Sequence, residues 1–532
     1  MHLGVLVMND TTPKLDAAPE SRLRSWRLIG CVLLPFAAGF YISYLFRTIN
    51  ALISGELTSD LGLSAGELGL LTSVYFLTFA VAQIPIGVLL DRYGPKLVQS
   101  SLLLVAAVGA AMFARSEGFA ALVLARAMIG LGVAAALTAG LKAIVQWFPK
   151  ERVALANGSI VMLGALGAVT ATAPAELLLD WAGWRGLFDL LAMGTAVIAA
   201  LIYLVVPDAA AAKASKRSAT ASLMTVYTDS RFWRLAPLSA VCAGSAWALQ
   251  GLWAAPWLTD VEGVDRAELV RHLFVMALAV SAGSFLMGAA ADRLGRRGIG
   301  PQALLAIVAA VFIATQLALI LRLPLPSYLA WTIVATAGTG HVLSYSILAE
   351  YFPKELAGRA NAALNMLHFG AAFAIQYSIG LVLDLWPTHE GHYPTIAFQV
   401  AFGLVVALQL VALAWFELPR ARQLWLAFWS QRSHRDLARV GAASDLPQPA
   451  GALPHLGPIA AIPLVPHMGA AAFAELRKWS NEPASIASVL DDPMRKLEAS
   501  LTGYRRHAAM YPKEAWRAKP ERIAQRRAGV NE

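Results

Sequence analysis

The chain carries few charged residues for its length. Asp, Glu, Lys and Arg make up 14% of its 532 residues, whereas a soluble globular protein carries about 25%. Apolar runs recur from Leu28 to Phe416, and about twenty such residues suffice to cross a hydrocarbon core of about 30 Å. This composition excludes an ordinary soluble domain and predicts an all-α integral membrane protein.

Cysteine is also scarce. Cys31 and Cys242 are the two in the chain and both lie in apolar runs, so we do not expect a disulfide framework. The sequence shows no phosphate-binding loop, no Cys/His metal spacing and no nucleophile motif, so we expect neither an enzyme nor a cofactor or metal. The net charge is +9, but the basic residues lie between the apolar runs, which indicates membrane-side loops rather than nucleic-acid binding.

The apolar runs predict twelve transmembrane spans in two bundles of six. We expect an N-terminal segment at 1–27, a first bundle at 28–206, a flexible basic linker at 207–231, a second bundle at 232–417 and a tail at 418–532. The predicted spans are 28–53, 67–90, 97–114, 118–146, 153–178, 185–206, 232–257, 267–291, 301–321, 326–350, 357–384 and 393–417.

Basic residues occur mainly in alternate connections. The stretches "SGELTSDLGLSAGE" and "WPTHEGHYPT" contain no Lys or Arg. The positive-inside rule therefore predicts that both termini, the linker and the tail are cytoplasmic, in a cell inner (plasma) membrane. The basic connections contain Arg22, Arg24 and Arg27; Arg92 and Lys96; Lys150 and Arg152; Lys213, Lys216 and Arg217; Arg293, Arg296 and Arg297; Lys354 and Arg359; and Arg420 and Arg422.

The two halves contain an internal repeat. "VQWFPKERVALANG" resembles "AEYFPKELAGRANA", with Pro149 and Pro353 at matching places, and "GVLLDRYGPK" is echoed by "GAAADRLGRR", which matches Asp91 to Asp292. Repeated six-span halves are typical of transporters whose binding site lies between the halves at mid-membrane depth.

With these motifs the chain resembles the major facilitator superfamily over about residues 28–417. The resemblance rests on the Gly-x-x-x-Asp-Arg-x-Gly loop and its weaker copy, on "RAMIGLG" in span four and on "GWRGLF" before span six. It implies two pseudo-symmetric bundles and transport by alternating access. It also implies that Asp91 caps a charge cluster that closes the cytoplasmic side in one state.

The stretch "YLFRTINALISGELTSDLGLSAGELGLLTSVYF" is similar to the anion:cation symporter family and its organophosphate relatives. These take sugar acids, carboxylates and sugar phosphates. In the sugar-acid symporters an aspartate commonly precedes the first-span arginine and span four often adds a glutamate. In this chain those places hold Phe46 and either Val133 or Gly132. The chain therefore lacks, at these places, the carboxylates that would carry the proton in such a symporter.

Two arginines are the main candidates for substrate binding. Counted from Leu28, Arg47 lies about 28 Å along span one, in the outer part of the membrane, or deeper if the helix extends toward Glu56. Arg126 lies about 12 Å into span four. A guanidinium suits a carboxylate or phosphate, but Arg47 could instead extend to the interface. By the resemblance, Arg126 could instead bond neighbouring helices or aid proton coupling.

Other polar residues in the spans extend this prediction. A polar seam between helices is the alternative for the second-half residues. We expect the substrate to contact Tyr44, Asn50, Tyr75, Gln250, Asn365, His368 and Gln376. With no carboxylate evident at mid-membrane, His341 and His368 are the candidates for proton coupling. Residues assigned to gating are Gly87, Asp91, Arg92, Gly94, Asp292, Arg293, Lys142 and Glu350, where a Lys142–Glu350 pair or unpaired side chains are both open.

The tail contains an aromatic face around Trp425 and Trp429 that predicts an interfacial helix, followed by a Pro-rich stretch predicted to be disordered or extended.

We interpret the chain as a monomeric secondary transporter that moves a small anionic organic solute, with protons, through the lipid bilayer. The alternatives are a drug or metabolite efflux pump, or a transporter-fold sensor that signals to a partner through its tail.

Overall fold

The computed structural model describes residues 25–208 and 224–442. Within these ranges the chain is almost entirely helical, because a lipid-exposed backbone must satisfy its own hydrogen bonds and a helix does so within one segment. The N-terminal segment before Ser25, residues 209–223 of the linker and the tail after Ala442 lie outside the described residues.

The first half begins with a short helix, Ser25–Leu28, and a π-helix, Ile29–Leu33, which lead into span 1. Pro85 and Pro95 lie inside the long second helix. The helices of this half are Leu34–Leu61 (span 1), Ala65–Arg115 (spans 2 and 3), Phe119–Val133 with Ala136–Trp147 (span 4), Lys150–Thr170 (span 5) and Ala173–Val205 (span 6, after a kink at Gly183).

The second half repeats this order with two interruptions. Span 7 contains a π-helix, Leu249–Trp253, and span 10 contains a 3₁₀ turn, Thr339–His341. Its helices are Ser230–Ala248 with Ala254–Asp260 (span 7), Arg266–Gly295 (span 8), Pro301–Ile320 (span 9), Ser327–Gly338 with Val342–Tyr351 (span 10), Lys354–Leu383 (span 11) and Thr395–Ala442 (span 12 and its extension).

Ten of the described helices are long and apolar enough to cross a membrane. The helix Ala65–Arg115 accounts for two spans, because the chain turns at Gly94, where φ is 77° and ψ is 165°. The 3₁₀ turn divides span 10 into pieces of 12 and 10 residues, each too short to cross alone. With both effects included, the prediction of twelve spans is confirmed.

The repeat seen in the sequence has a structural counterpart at two prolines. Pro149 precedes the helix of span 5 with φ −61° and ψ 145°, and Pro353 precedes the helix of span 11 with φ −61° and ψ 155°. Proline fixes φ near this value and needs no hydrogen-bond acceptor for its nitrogen at a helix start. The "FPKE" motif therefore starts the same helix in each half.

Small residues bring span 4 against its neighbours. A Cβ added to Gly130 would lie 2.5 Å from the Tyr75 carbonyl oxygen, and one added to Gly132 would lie 2.4 Å from the Ala106 nitrogen. No side chain fits at either place. The "RAMIGLG" motif thus allows spans 2, 3 and 4 to pack closely, and it fixes where Arg126 enters the bundle.

The two ends of the bundle differ in charge. The connections rich in Lys and Arg define the base-rich end, and the opposite connections define the base-poor end. At the base-poor end the halves are hydrogen-bonded to each other. The Asp384 carboxylate of span 11 accepts hydrogen bonds from the Ser64 hydroxyl (2.8 Å) and the Gly66 amide (2.9 Å) at the start of span 2.

Candidate functional site

The helix that carries Arg47 extends further than predicted. The helix of span 1 continues to Leu61, eight residues past the predicted end. Arg47 is therefore about 20 Å from either end of Leu34–Leu61, at 1.5 Å per residue. The helix thus extends past Glu56, which is the condition for the deeper placement of Arg47, and its depth in the membrane stays a prediction.

Two aromatic rings hold the Arg47 guanidinium. Its Cζ atom lies 4.1 Å from the ring centroid of Tyr44, three residues earlier on the same helix, and 5.2 Å from that of Trp247 in span 7. The side chain is 7% exposed, and its Nε atom has no hydrogen-bond partner. A cation–π contact stabilises by about 0.5–2 kcal/mol, so Arg47 is held in place without being neutralised.

Arg126 is fully buried and only partly satisfied. Its Nη2 donates to the Phe46 carbonyl oxygen at 2.8 Å, while Nε and Nη1 have no partner. Its Cζ lies 5.1 Å from the Tyr75 ring centroid. The Phe46 side chain packs against Phe188, so the position that holds an aspartate in the similar symporters contributes a carbonyl oxygen here, and no carboxylate.

Tyr75 and Asn50 connect spans 1 and 2 beside these arginines. The Tyr75 hydroxyl donates to the Ser43 carbonyl oxygen at 3.1 Å, and Tyr75 interacts electrostatically with both guanidiniums. Asn50 donates from Nδ2 to the Thr72 hydroxyl at 2.9 Å, while its Oδ1 has no partner. These bonds hold the arginine-bearing face of span 1 against span 2.

The second half places two histidines opposite Arg47. The ring centroids of His341 and His368 are 5.6 Å apart, and each lies edge to face with Trp247. His368 is fully buried, with Nε2 2.8 Å from the Ser239 hydroxyl and Nδ1 unpaired. His341 Nδ1 donates to the Gly338 carbonyl oxygen at 3.0 Å and lies within the electrostatic reach of Arg47. Arg47, which is predicted to bind the substrate, thus lies in one cluster with His341 and His368, which are predicted to carry the proton.

The remaining predicted contacts lie around this cluster. The Tyr345 hydroxyl donates to Asn365 Oδ1. Gln250 has an unpaired Nε2, and fully buried Gln376 has neither amide atom paired. Each unsatisfied buried polar group costs about 1–3 kcal/mol, which is tolerable where a ligand or water pairs it in another state. Whether these residues touch substrate stays a prediction.

Neither central arginine has an acidic partner. Among residues 25–208 and 224–442, the ion pairs formed by Asp and Glu do not involve Arg47 or Arg126. Leaving a charge buried without a partner costs several kcal/mol. A small anion between the two guanidiniums would remove much of this cost.

The residues assigned to gating lie toward the base-rich end. Lys142 donates to the Asp91 carboxylate at 2.6 Å and to the Leu90 carbonyl oxygen at 2.7 Å. The Lys142–Glu350 pair is therefore not formed in this structure, and Glu350 is exposed. Arg92 lies over the Tyr93 ring at 5.2 Å, and Asp292 and Arg293 are exposed.

The two glycines of this group differ. Gly94 makes the turn between spans 2 and 3, in the left-handed region that glycine adopts readily. A Cβ added to Gly87 would meet no atom within 4 Å. Among the described residues, no helix therefore packs closely on Gly87 in this structure, and its role in gating stays a prediction.

Sequence reasoning missed the bonds that close the base-poor end. Arg266 at the start of span 8 donates from Nε and Nη2 to Glu176 of the first half, both at 2.6 Å, and from Nη1 to the Leu52 carbonyl oxygen at 3.0 Å. The "DRAE" segment carries a helix-start signal, since Asp265 accepts from the Glu268 amide. Nothing in its sequence identifies the partner, which comes from the other half.

A family model for the Major Facilitator Superfamily matches residues 36–376. A probable L-galactonate transporter of Escherichia coli (strain K12) is 31% identical over 169 residues, 32% of this chain and 37% of that protein. The nitrite extrusion protein of Bacillus subtilis (strain 168) is 24% identical and covers 75% of this chain and 93% of its own. The hexuronate transporter of Escherichia coli (strain K12) is 23% identical over 78% and 98%.

The matches to some relatives are partial. The chain spans 37%, 45% and 64% of the length of three of the curated relatives that it matches. A solved structure of a bacterial homolog of the human lysosomal transporter Spinster, inward-facing and unoccupied, aligns with a TM-score of 0.61 at 19% identity over 74% of this chain and 97% of that one. This likeness shows the fold: two six-helix bundles in a multi-pass membrane protein.

Proposed function

The chain belongs to the Major Facilitator Superfamily and is a transport protein rather than an enzyme; from this premise we propose that it moves a small organic anion by alternating access. The observation that carries the proposal is the pair of buried guanidiniums, Arg47 and Arg126, without an acidic partner in the described chain. The names of several relatives, which include galactonate, hexuronate and nitrite transporters, support an anionic solute.

The arrangement of Arg47 favours a planar oxyanion. The Cζ atom of Arg47 lies over the Tyr44 and Trp247 rings, and we propose that an N–H edge of the guanidinium is left for a ligand. A carboxylate accepts two parallel hydrogen bonds from such an edge. We therefore place a carboxylate group of the substrate at Arg47, with Arg126 and Tyr75 beside it.

The same proposal includes proton-coupled import. In the described spans no acid lies beside the arginines, so we assign the coupled proton to His341 or His368. A proton on either imidazole would be repelled by Arg47 in the empty site, and a bound anion would offset that repulsion. Anion and proton would then favour each other's binding, as symport requires.

The proposed direction depends on orientation. Lys and Arg concentrate in the connections of the base-rich end, and such connections are retained in the cytoplasm. We therefore take the base-rich end as cytoplasmic and the base-poor end as outer, in a bacterial inner membrane. The described state is then closed to the outside.

A binding experiment with purified protein tests the anion site. Thermal-shift measurements would compare D-galacturonate, nitrate, inorganic phosphate and tetraphenylphosphonium, since a ligand that binds only the folded state raises its stability. D-galacturonate should raise the melting temperature of the unsubstituted protein. In Arg47→Lys its Kd should rise at least tenfold, because a lysine loses the bidentate geometry.

The matched control is Arg115→Lys, at an exposed arginine that pairs with Asp189 inside the first half. It should leave the Kd unchanged. Equal Kd values for Arg47→Lys and the unsubstituted protein, at equal membrane abundance, would refute the anion site. For proton coupling, His368→Gln should abolish pH-driven uptake but spare counterflow, and normal pH-driven uptake would reject that role.

One observation favours efflux as a second candidate. Phe76 and Phe79 of span 2 contact Phe369 of span 11, with ring centroids 6.2 and 4.0 Å apart, and the Trp247 ring stacks on Phe76. Aromatic surfaces suit hydrophobic cations. A stabilising effect of tetraphenylphosphonium without any effect of the anions would favour efflux over anion import.

A further inference from the structure

Trp247 of span 7 is the residue at which the two halves meet around Arg47. It belongs to the second half, yet it touches side chains from both halves and from four different spans. Its ring centroid lies 5.2 Å from Arg47 Cζ, 5.4 Å from the His341 ring, 6.0 Å from the His368 ring, 4.8 Å from the Phe369 ring and 6.2 Å from the Phe76 ring.

The backbone after Trp247 brings span 7 close to Arg47. The π-helix Leu249–Trp253 begins two residues later, and π-turns of this kind shift the register of a helix locally. Within it, a Cβ added to Gly251 would lie 3.4 Å from the Arg47 carbonyl oxygen. The π-turn therefore packs on span 1 at the level of Arg47, which fixes where the Trp247 ring can lie.

Within residues 25–208 and 224–442, no hydrogen bond fixes the Arg47 guanidinium. The Nε atom of Arg47 is unpaired. Its guanidinium makes cation–π contacts with the rings of Tyr44 and Trp247. Tyr44 is on the same helix and moves with Arg47. Trp247 belongs to the other half. Of the two rings, Trp247 is therefore the one whose position relative to the guanidinium changes when that half moves.

We propose that Trp247 positions Arg47 for a planar oxyanion: its ring covers one part of the guanidinium face, directs the N–H edge into the site and ties that geometry to the second half. This inference rests on the proposed anion site. Trp247 acts through Arg47 and is a positioning residue, so its loss weakens anion binding, whereas a smaller aromatic ring at this place preserves it.

The test measures binding of D-galacturonate and nitrate, both with planar oxyanion groups, by calorimetry on full-length protein. Trp247→Leu should raise both Kd values at least tenfold. Trp247→Phe retains a ring face and should restore them to within about threefold of the unsubstituted protein. Inorganic phosphate, which is tetrahedral, should gain relative to nitrate in Trp247→Leu, because the guanidinium edge is no longer fixed.

The matched control is Trp257→Leu, which removes another buried indole of span 7 that packs on Phe402 and donates to Glu262. It should leave both Kd values within about twofold. Equal losses in Trp257→Leu and Trp247→Leu, or a Trp247→Phe variant as weak as Trp247→Leu, would overturn the positioning role.

The failures of the two proposals are distinguishable. If Arg47→Lys weakens binding but Trp247→Leu does not, the anion site stands and the role of Trp247 is rejected. If neither D-galacturonate nor nitrate binds the unsubstituted protein, the proposed carboxylate site fails, and the inference about Trp247 fails with it.

Discussion

The base-poor and base-rich ends of the bundle use the same kinds of side chain in opposite ways. At the base-poor end, Arg266 and Asp384 of the second half bond Glu176, Ser64 and Gly66 of the first. At the base-rich end, Lys142 pairs with Asp91 inside the first half, and Lys96 of the first half pairs with Asp208 at the start of the linker. Bonds between halves hold the base-poor end closed, whereas the two pairs named at the base-rich end, both within residues 25–208, do not join the two bundles.

Backbone contact reinforces the closed end. A Cβ added to Gly380 in span 11 would lie 2.3 Å from the Ala65 carbonyl oxygen, and one added to Gly66 would lie 2.5 Å from Asp384 Oδ2. The start of span 2 therefore lies directly on span 11. The Asp384 carboxylate also sits at the N-terminus of the Ala65–Arg115 helix, where a negative charge is favourable. Closure of the base-poor end thus depends on the hydrogen bonds of Asp384 and also on glycine, which has no side chain, at positions 66 and 380.

The largest effect should come from filling this contact. Gly380→Ala places a methyl group against backbone, and overpacking of this kind costs about 1–3 kcal/mol, so the closed state should lose about fivefold to 150-fold in population. The distance between spin labels on Ser59→Cys and Glu390→Cys, measured by double electron–electron resonance, should lengthen. Gly370→Ala, in the same helix with nothing within 4 Å of the added Cβ, is the control. An unchanged distance in Gly380→Ala would show that the halves separate elsewhere.

A smaller effect should follow from breaking the charged part of the closed end. Arg266→Gln removes the two hydrogen bonds to Glu176, but Arg266 is 39% exposed. We therefore expect the closed state to lose about 1 kcal/mol of stability, which shifts the population about threefold to tenfold toward the open state. Arg115→Gln breaks a pair of similar chemistry within the first half and should not change the label distance. Equal shifts in the two variants would contradict the distinction between bonds across and within the halves.

Tyr393 gives the closed end a predictable response to pH. Its hydroxyl accepts from the Ala65 amide at 3.0 Å and donates to Asp384 at 2.9 Å. Burial, with the Asp384 carboxylate, raises the pKa of Tyr393 to about 12 from the usual 10.0. Because the folded-state pKa is raised, this contribution is complete below pH 10 and is lost as the pH approaches 12.

The label distance should therefore be constant between pH 7 and pH 9. Tyr393→Phe should shift the population toward opening by about fivefold, since one net hydrogen bond contributes about 1 kcal/mol. A distance that changes between pH 7 and pH 9 in the unsubstituted protein, but not in Tyr393→Phe, would contradict the raised pKa.

The smallest effect should come from the base-rich end. Asp91 is 76% exposed in its pair with Lys142, so Lys142→Gln should lower the free energy of unfolding by less than about 1 kcal/mol and should leave the base-poor label distance unchanged. Denaturant unfolding and the same resonance experiment check both. A shift as large as that of Arg266→Gln would mean that this pair also couples the halves.

The two ends also differ in how much of their structure could be predicted from the sequence. Gly94 and the prolines at 149 and 353 follow from local backbone rules, and the structure places a turn and two helix starts there. The bonds of Arg266 and Asp384 join residues of different halves that are 90 and 318 to 320 positions apart, so no local pattern identifies them. The depth of Arg47 was uncertain because it depends on where span 1 ends, and Gly62 in the left-handed conformation ends it after Leu61.

The sequence by itself determined the membrane class, the two six-span halves and the candidate arginines and histidines, because apolar length, repeated motifs and buried charge are local properties of a chain. The tertiary structure decided which of these residues meet. It placed Trp247 between Arg47 and the two histidines, left Arg126 with a carbonyl oxygen in place of a carboxylate, and closed one end through Gly66 and Gly380. Those contacts depend on how the two six-helix bundles pack, and that packing is set by helix register and side-chain volume across the interface.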